Sequence, residues 1–250
     1  MKILALDSSG NVASAAILED QNLLAEYTVN YKKTHSQTLL PMVDEIVRMT
    51  EADLKDIDAI AVANGPGSFT GLRIGSATAK GLGLALGRPV VEVPTIAALA
   101  CNLFGTPGLV CPIMDARRNQ VYTGIYRFSE GRLVTVEDQM ALGIDELLEK
   151  LNELGEPVIF LGDGVPVHEE AIRKGLTIPP VFAPAHLSRQ RAGAVAYLGQ
   201  QYYIEGKYVD AAESTPVYLR MSQAERERKA REQKKAGLDP AKTACPGDAV

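Results

Sequence analysis

Three short apolar runs separated by turn residues open the chain, and this spacing predicts an antiparallel meander. The runs are residues 2–7, 12–18 and 22–30. Apolar side chains at helical spacing then alternate with further apolar runs, which is typical of helices connecting the strands of a mixed sheet. The predicted elements are a helix at 36–52, a strand at 57–63, a helix at 72–87, a strand at 90–93 and a helix at 95–104.

The same order of elements then restarts. Residues 110–115 (VCPIMD) resemble residues 2–7 (KILALD), since both are apolar runs that end in aspartate. The further predicted elements are strands at 120–127, 132–136 and 157–161 and helices at 144–154, 165–174 and 188–204. A repeated order indicates a duplicated unit. We therefore expect an α/β protein of two related lobes, 1–105 and 106–220, with the last helix packing back on the first lobe.

Residues 221–250 differ from the rest in composition, because charged side chains replace almost all apolar ones. Such a segment lacks the apolar surface needed for a packed core. The sequence predicts a solvated tail there. A slight excess of basic residues leaves an RNA-binding arm as the alternative.

Composition narrows the functional classes. With 250 residues, 46% of them hydrophobic, and a formal net charge of −5, the chain has the size for a substantial core and no overall attraction for nucleic acid. Three cysteines without a CxxC pair, and three histidines without i, i+4 spacing, argue against a zinc or iron site. That spacing leads us to expect no bound metal. No signal peptide or spanning segment is evident, so we expect a cytoplasmic protein with no membrane association.

Several residues at predicted strand ends are candidates for contacting a nucleotide. Hydroxyl and carboxylate groups at a strand-to-turn junction suit phosphate or a metal ion, and guanidinium groups suit phosphate. Each position also has a purely structural interpretation, as a hairpin turn or a salt-bridge partner. The candidates are Asp7, Ser8, Ser9, Asp115, Arg117, Gly162, Asp163 and Gly164.

The glycine-rich segment 65–71 (GPGSFTG) matches none of the common nucleotide or nucleophile loops. It lacks the Walker lysine, the GxSxG elbow and the GxGxxG spacing. The next helix carries Gly75, Ala79 and Gly83 at four-residue intervals, and each mid-helix glycine costs roughly 1 kcal/mol relative to alanine. A stripe of small residues lets another helix approach closely, either from within the chain or from a partner.

Five motifs together resemble the TsaB (YeaZ) family: LDSS at 6–9, HSQTLLP at 35–41, NGPGSFTGLRIG at 64–75, DARR at 115–118 and PVYLR at 216–220. The resemblance covers about residues 1–220. It implies the duplicated actin-like (ASKHA, ribonuclease H-like) fold. It also implies a non-catalytic subunit that supports threonylcarbamoyl transfer to adenosine 37 of ANN-decoding tRNAs, with the TsaD and TsaE proteins as partners and tRNA contacted indirectly.

The resemblance also implies site residues. The catalytic paralogue TsaD holds its metal with an HxxxH pair, and Thr95 and Leu99 occupy those two positions here. Neither side chain replaces an imidazole ligand. No tightly bound cofactor is expected in the isolated chain, although ATP or ADP is a candidate ligand at the partner interface, and a homodimer is a candidate state. The implied partner interface comprises His35, Leu39, Val43, Leu72, Gly75, Ala79 and Gly83.

Two enzymatic alternatives remain at this point. An ATP-dependent phosphotransferase of the same superfamily would use Asp7 and Asp115 as markers of two phosphate loops. Its weakness is that the second loop, Asp-Ala-Arg-Arg, is not glycine-rich. A metallopeptidase, the other alternative, lacks the histidine pair that would hold its metal.

Overall fold

The computed structural model describes residues 1–31 and 34–220, and its framework is two five-stranded mixed sheets. The strands of the first sheet are β1 (Lys2–Asp7), β2 (Ala13–Glu19), β3 (Asn22–Val29), β4 (Ala59–Gly65) and β5 (Val90–Pro94). The strands of the second sheet are β6 (Leu109–Asp115), β7 (Gln120–Ser129), β8 (Arg132–Gly143), β9 (Val158–Leu161) and β10 (Val181–Phe182).

The two sheets have the same topology. The first is ordered β3-β2-β1-β4-β5 and the second, taken from its opposite edge, β8-β7-β6-β9-β10. In each sheet the first three strands are antiparallel and the last two run parallel to the central strand. The predicted duplicated α/β fold, with three meandering strands followed by crossovers, is confirmed.

Six helices cover the sheets in the described part of the chain. They are α1 (His35–Thr50), α2 (Phe69–Leu86), α3 (Thr95–Ala100), α4 (Ile144–Leu154), α5 (Val165–Gly175) and α6 (Ala192–Ile204), with short 3-10 turns at Leu54–Asp56 and Cys101–Leu103. Helices α1 and α2 pack on one face of the first sheet. Helices α4 and α5 pack on one face of the second.

A shared core lies between the lobes. It combines the other face of the first sheet with α3, α6 and residues of the second sheet, including Val110, Met114 and Tyr126. Helix α6 is the last helix of the described residues, yet it packs against β1, β2, β4 and β5 of the first lobe. At Gly199 an added Cβ would lie 2.6 Å from the Cβ of Ala61, so glycine permits this close approach.

Several elements differ from the predicted ones. Strand β8 continues to Gly143, although the prediction ended at residue 136, because irregular pairing opposite Ile125 accommodates the polar run 137–139 at a sheet edge. The two-residue β10 was not predicted. Helix α6 begins at Ala192 rather than residue 188. The predicted tail, 221–250, lies outside the described residues.

Candidate functional site

The first candidate phosphate loop is filled by the chain itself. Asp7 ends the central strand β1, Ser8 and Ser9 follow it, and all three are buried. Asp7 Oδ1 accepts hydrogen bonds from the backbone N–H of Ser9 at 2.8 Å and from its hydroxyl at 2.6 Å. The Ser8 hydroxyl donates to the Gly71 carbonyl at 2.8 Å. The polar groups of this turn are thus engaged internally.

The glycine-rich segment 65–71 covers this turn directly. The Ser68 N–H donates to the Ser9 carbonyl at 2.6 Å. A Cβ added to Gly67 would collide with the Ser9 carbonyl oxygen, and one added to Gly71 would collide with that of Ser8. Glycine is therefore required for the backbone of one loop to rest on the backbone of the other. The predicted nucleotide contacts Asp7, Ser8 and Ser9 therefore lie beneath the glycine-rich segment.

Burial raises the pKa of Asp7 to about 6 from its ordinary 3.8. The cause is desolvation of the carboxylate, and the two Ser9 hydrogen bonds and the nearby His35 offset only part of that penalty. The His35 ring lies at the start of α1, where its Nε2 is 2.8 Å from the Gly10 carbonyl oxygen. Asp7 is consequently a buried acid whose charged form the fold disfavours.

The second-lobe candidates do lie together. Asp115 ends β6, and its N–H donates to Asp163 Oδ1 at 3.2 Å. The Arg117 N–H donates to Asp115 Oδ1 at 2.8 Å. Burial raises the pKa of Asp163, and Arg189 opposes that shift. Asp115 and Arg117 are exposed, so this edge is accessible, unlike the corresponding edge of the first lobe.

Gly162 and Gly164 have a backbone role at this edge. Gly162 has a φ of 110°, and a Cβ there would collide with the Ile113 carbonyl oxygen. The Gly164 N–H donates to that same carbonyl at 3.0 Å. Both glycines thus dock the loop after β9 on β6.

Thr95 and Leu99, at the two positions corresponding to the histidine pair, are both buried in helix α3. The Thr95 hydroxyl accepts a hydrogen bond from the Gly65 N–H at 3.1 Å, which ties α3 to the start of the glycine-rich segment. Leu99 is part of the shared core between the lobes. Within residues 1–31 and 34–220, no three His, Cys, Asp or Glu side chains group together as metal ligands.

Most residues of the predicted partner interface pack inside the chain itself. The structure buries six of its seven residues inside the first lobe: Leu39, Val43, Leu72, Gly75, Ala79 and Gly83. An added Cβ would lie 2.5 Å from the Ser8 hydroxyl at Gly75 and 2.7 Å from the Ala211 Cβ at Gly83. The Gly75, Ala79, Gly83 stripe therefore allows α2 to approach its own sheet and the segment after α6. Only His35 is partly accessible.

Helix α2 carries a second stripe of small residues on its opposite side, which the sequence analysis overlooked. Ala77, Gly81 and Ala85 also recur every four residues, and all three are exposed. A Cβ added to Gly81 would meet nothing within 4 Å. Leu84 lies three residues from Gly81, on the same side of α2, and its apolar side chain is 58% exposed. We call Ala77, Gly81, Leu84 and Ala85 the outer α2 face.

The duplicated sheets with helices on both faces define the class of the protein: an actin-like (ASKHA) α/β fold. Solved structures agree with this class. The structure described as YeaZ from Pseudomonas aeruginosa superposes with a TM-score of 0.76 at 28% identity, covering 87% of this chain and 99% of that one.

Sequence comparisons specify the family. The family model described as TsaD, tRNA N6-adenosine threonylcarbamoyltransferase, matches residues 22–228. The chain is 36% identical to the tRNA threonylcarbamoyladenosine biosynthesis protein TsaB of Bacillus subtilis, with 90% of this chain and 96% of that protein covered. It is 31% identical to TsaB of Escherichia coli, with 88% and 95% covered. The chain belongs to the TsaB (YeaZ) family of tRNA threonylcarbamoyladenosine biosynthesis proteins.

None of the helices in the described residues has the length and apolar character needed to cross a bilayer.

Proposed function

We propose that the chain is a non-catalytic subunit that binds the catalytic paralogue TsaD and, with TsaE, supports threonylcarbamoyl transfer to adenosine 37 of tRNA. The observation that carries this proposal is the exposed outer α2 face, which combines three small residues with the large apolar side chain of Leu84. Small residues on a helix permit close backbone approach, and exposed apolar side chains gain free energy when a partner covers them. This face therefore suits close packing by a helix of another subunit.

The region of the absent histidine pair supports the non-catalytic part of the proposal. Thr95 is buried with its hydroxyl occupied by the Gly65 N–H, and Leu99 is buried among apolar side chains. A divalent transition metal needs nitrogen, oxygen or sulfur ligands with room around them. Helix α3 supplies an aliphatic group and an engaged hydroxyl instead.

The filled first-lobe loop weighs against the alternative of an independent phosphotransferase. Phosphate binding at a strand-to-turn junction requires backbone N–H groups that are free to donate. Here the Ser9 N–H donates to Asp7, and the Ser68 N–H donates to Ser9. We therefore assign any ATP or ADP to the assembled complex, next to the accessible Asp115 and Arg117, rather than to the isolated chain.

The test is a substitution on the outer stripe. Gly81→Arg places a long cation in the centre of the outer α2 face, where the chain itself offers no steric obstacle. We expect it to weaken binding to the cognate TsaD by at least about 100-fold, since an unpaired charge would be buried against apolar groups. Calorimetry gives the affinity, and threonylcarbamoyl transfer to tRNA by the reconstituted proteins should fall in parallel.

Two controls accompany this substitution. Glu149→Arg changes an exposed position of α4, on the other lobe, and should leave binding unchanged. Gly81→Ala should also retain the complex because a methyl group is small. Normal TsaD binding by a folded Gly81→Arg variant would refute the interface. Transfer by the isolated chain at the full rate would refute the subunit role, and micromolar binding of ATP without TsaD would favour the phosphotransferase.

A further inference from the structure

Residues 214–220 form a segment without helix or strand that is nevertheless anchored along its length to the first lobe. The Ser214 hydroxyl and the Thr215 N–H both donate to Glu92 Oε1 of β5 at 2.9 Å. The Val217 N–H donates to the Asn64 carbonyl at the end of β4, at 2.8 Å. A Cβ added to Gly65 would collide with the Val217 carbonyl oxygen, so glycine is needed for the segment to lie this close.

An aromatic contact reinforces the anchoring at the start of α2. The rings of Tyr218 and Phe69 are 4.7 Å apart between centroids, and the Arg73 guanidinium lies 4.0 Å above the Phe69 ring. Arg73 Nε also donates to the Tyr218 hydroxyl at 3.4 Å. Ring pairs and cation–π contacts of this kind are attractive beyond the apolar area they bury.

The last residue of the segment reaches the second lobe. Arg220 Nη1 donates to the Ala116 carbonyl at 2.7 Å. Ala116 directly follows β6, just as Asn64 lies at the end of β4. Residues 214–220 therefore connect the carboxyl edge of the first sheet to the carboxyl edge of the second.

We propose that residues 214–220 are a strap that locks the two lobes in the closed arrangement. The lobes already share an apolar core around α3 and α6, and the strap adds a polar connection between the carboxyl edges of the two sheets. Where the strap meets β4, Asn64 Oδ1 is buried without a hydrogen-bond partner among the described residues. A buried polar atom without a partner destabilises the packed arrangement, so this edge needs compensating contacts, which the strap supplies.

Hydrogen exchange of the full-length protein tests the strap from both ends. Arg220→Ala removes the contact with the second lobe. If the strap is a lock, amide exchange should accelerate about tenfold not only in residues 116–120 but also at the Thr215 and Val217 amides bonded to the first lobe. Tyr218→Ala removes the aromatic anchor on the first lobe and should accelerate exchange in residues 116–120 on the other lobe.

Arg118→Ala is the matched control. It removes an exposed guanidinium from the same turn as Ala116, and it should leave exchange at Thr215 and Val217 within about twofold of the parent protein. Unchanged far-UV circular dichroism establishes that each variant is folded. An acceleration confined in each variant to the lobe that lost the contact would overturn the proposal, as would no acceleration in either. TsaD binding is not part of this readout, so failure of the strap and failure of the subunit role are distinguishable.

Discussion

Asp7 illustrates how a single residue can look like a ligand contact in sequence and serve a structural purpose in the fold. Its position at the end of β1 suits phosphate or metal chemistry, yet its carboxylate is buried and satisfied by Ser9. The neighbouring Gly67 and Gly71 make this possible, because any side chain at either position would push the covering loop off the turn.

At the residue scale we predict that Asp7→Asn stabilises the protein at neutral pH. The folded-state pKa of Asp7, about 6, lies above its ordinary 3.8. The native state therefore binds more protons than the unfolded state between these values, and stability falls as pH rises through that window. Asparagine keeps an oxygen acceptor for Ser9 and removes the charge. We expect a gain on the order of 2 kcal/mol in the free energy of unfolding at pH 7.

Urea unfolding at pH 4, 5, 6 and 7 measures this effect. The gain should be largest at pH 7 and shrink toward pH 4, where the parent carboxyl is protonated. Asp44→Asn, at an exposed position of α1, serves as the control and should not show that trend. A gain from Asp7→Asn that is independent of pH would contradict the assignment.

Helix α2 shows at the element scale why one helix carries two stripes of small residues. Gly75, Ala79 and Gly83 face the chain's own sheet, and Ala77, Gly81 and Ala85 face outward. A shift of two residues along a helix turns a side chain by about 200°, so the two stripes lie on nearly opposite sides. The inner stripe serves the fold, and the outer stripe is available to a partner.

The two stripes predict opposite responses to the same substitution. Gly75→Ala should destabilise the protein by about 1–3 kcal/mol, because the new methyl group would lie 2.5 Å from the Ser8 hydroxyl. Gly81→Ala should stabilise it by about 0.5–1 kcal/mol, because alanine favours the helix and nothing lies within 4 Å. Chemical denaturation of the two variants measures both changes. Equal effects would mean that α2 is rotated from the orientation described.

At the scale of the whole molecule, the two lobes are not independent. The shared core joins the first sheet, α3 and α6 with β6 and β7 of the second sheet. The strap connects the carboxyl edges of the two sheets. The chain therefore returns to its first lobe after completing its second. Such a core links the stability of one lobe to that of the other.

We accordingly predict one cooperative unfolding transition, even though chains with two lobes often show two. Scanning calorimetry should give equal calorimetric and van 't Hoff enthalpies. Val110→Ala, in the shared core, and Val121→Ala, in the second lobe's own core, should both lower the midpoint of that single transition. Separation into two transitions in either variant would show that the lobes unfold independently.

The sequence by itself determined the order of the elements and the duplication. Apolar periodicity and the aspartate-ended runs 2–7 and 110–115 depend on local spacing, which is written in the chain. The five motifs also determined the family. Matching Thr95 and Leu99 to the HxxxH pair of the catalytic paralogue TsaD likewise required only the sequence.

Only the tertiary structure decided which face of each element is buried and which loops touch. Both stripes of α2 have the same residue types and spacing, so sequence alone offered no means of choosing the exposed one. Gly67 and Gly71 lie against the turn after Asp7, and residues 214–220 contact both Glu92 and Ala116. These contacts join residues far apart in the chain. Contacts of that kind depend on how the whole chain packs in three dimensions, and no local pattern encodes them.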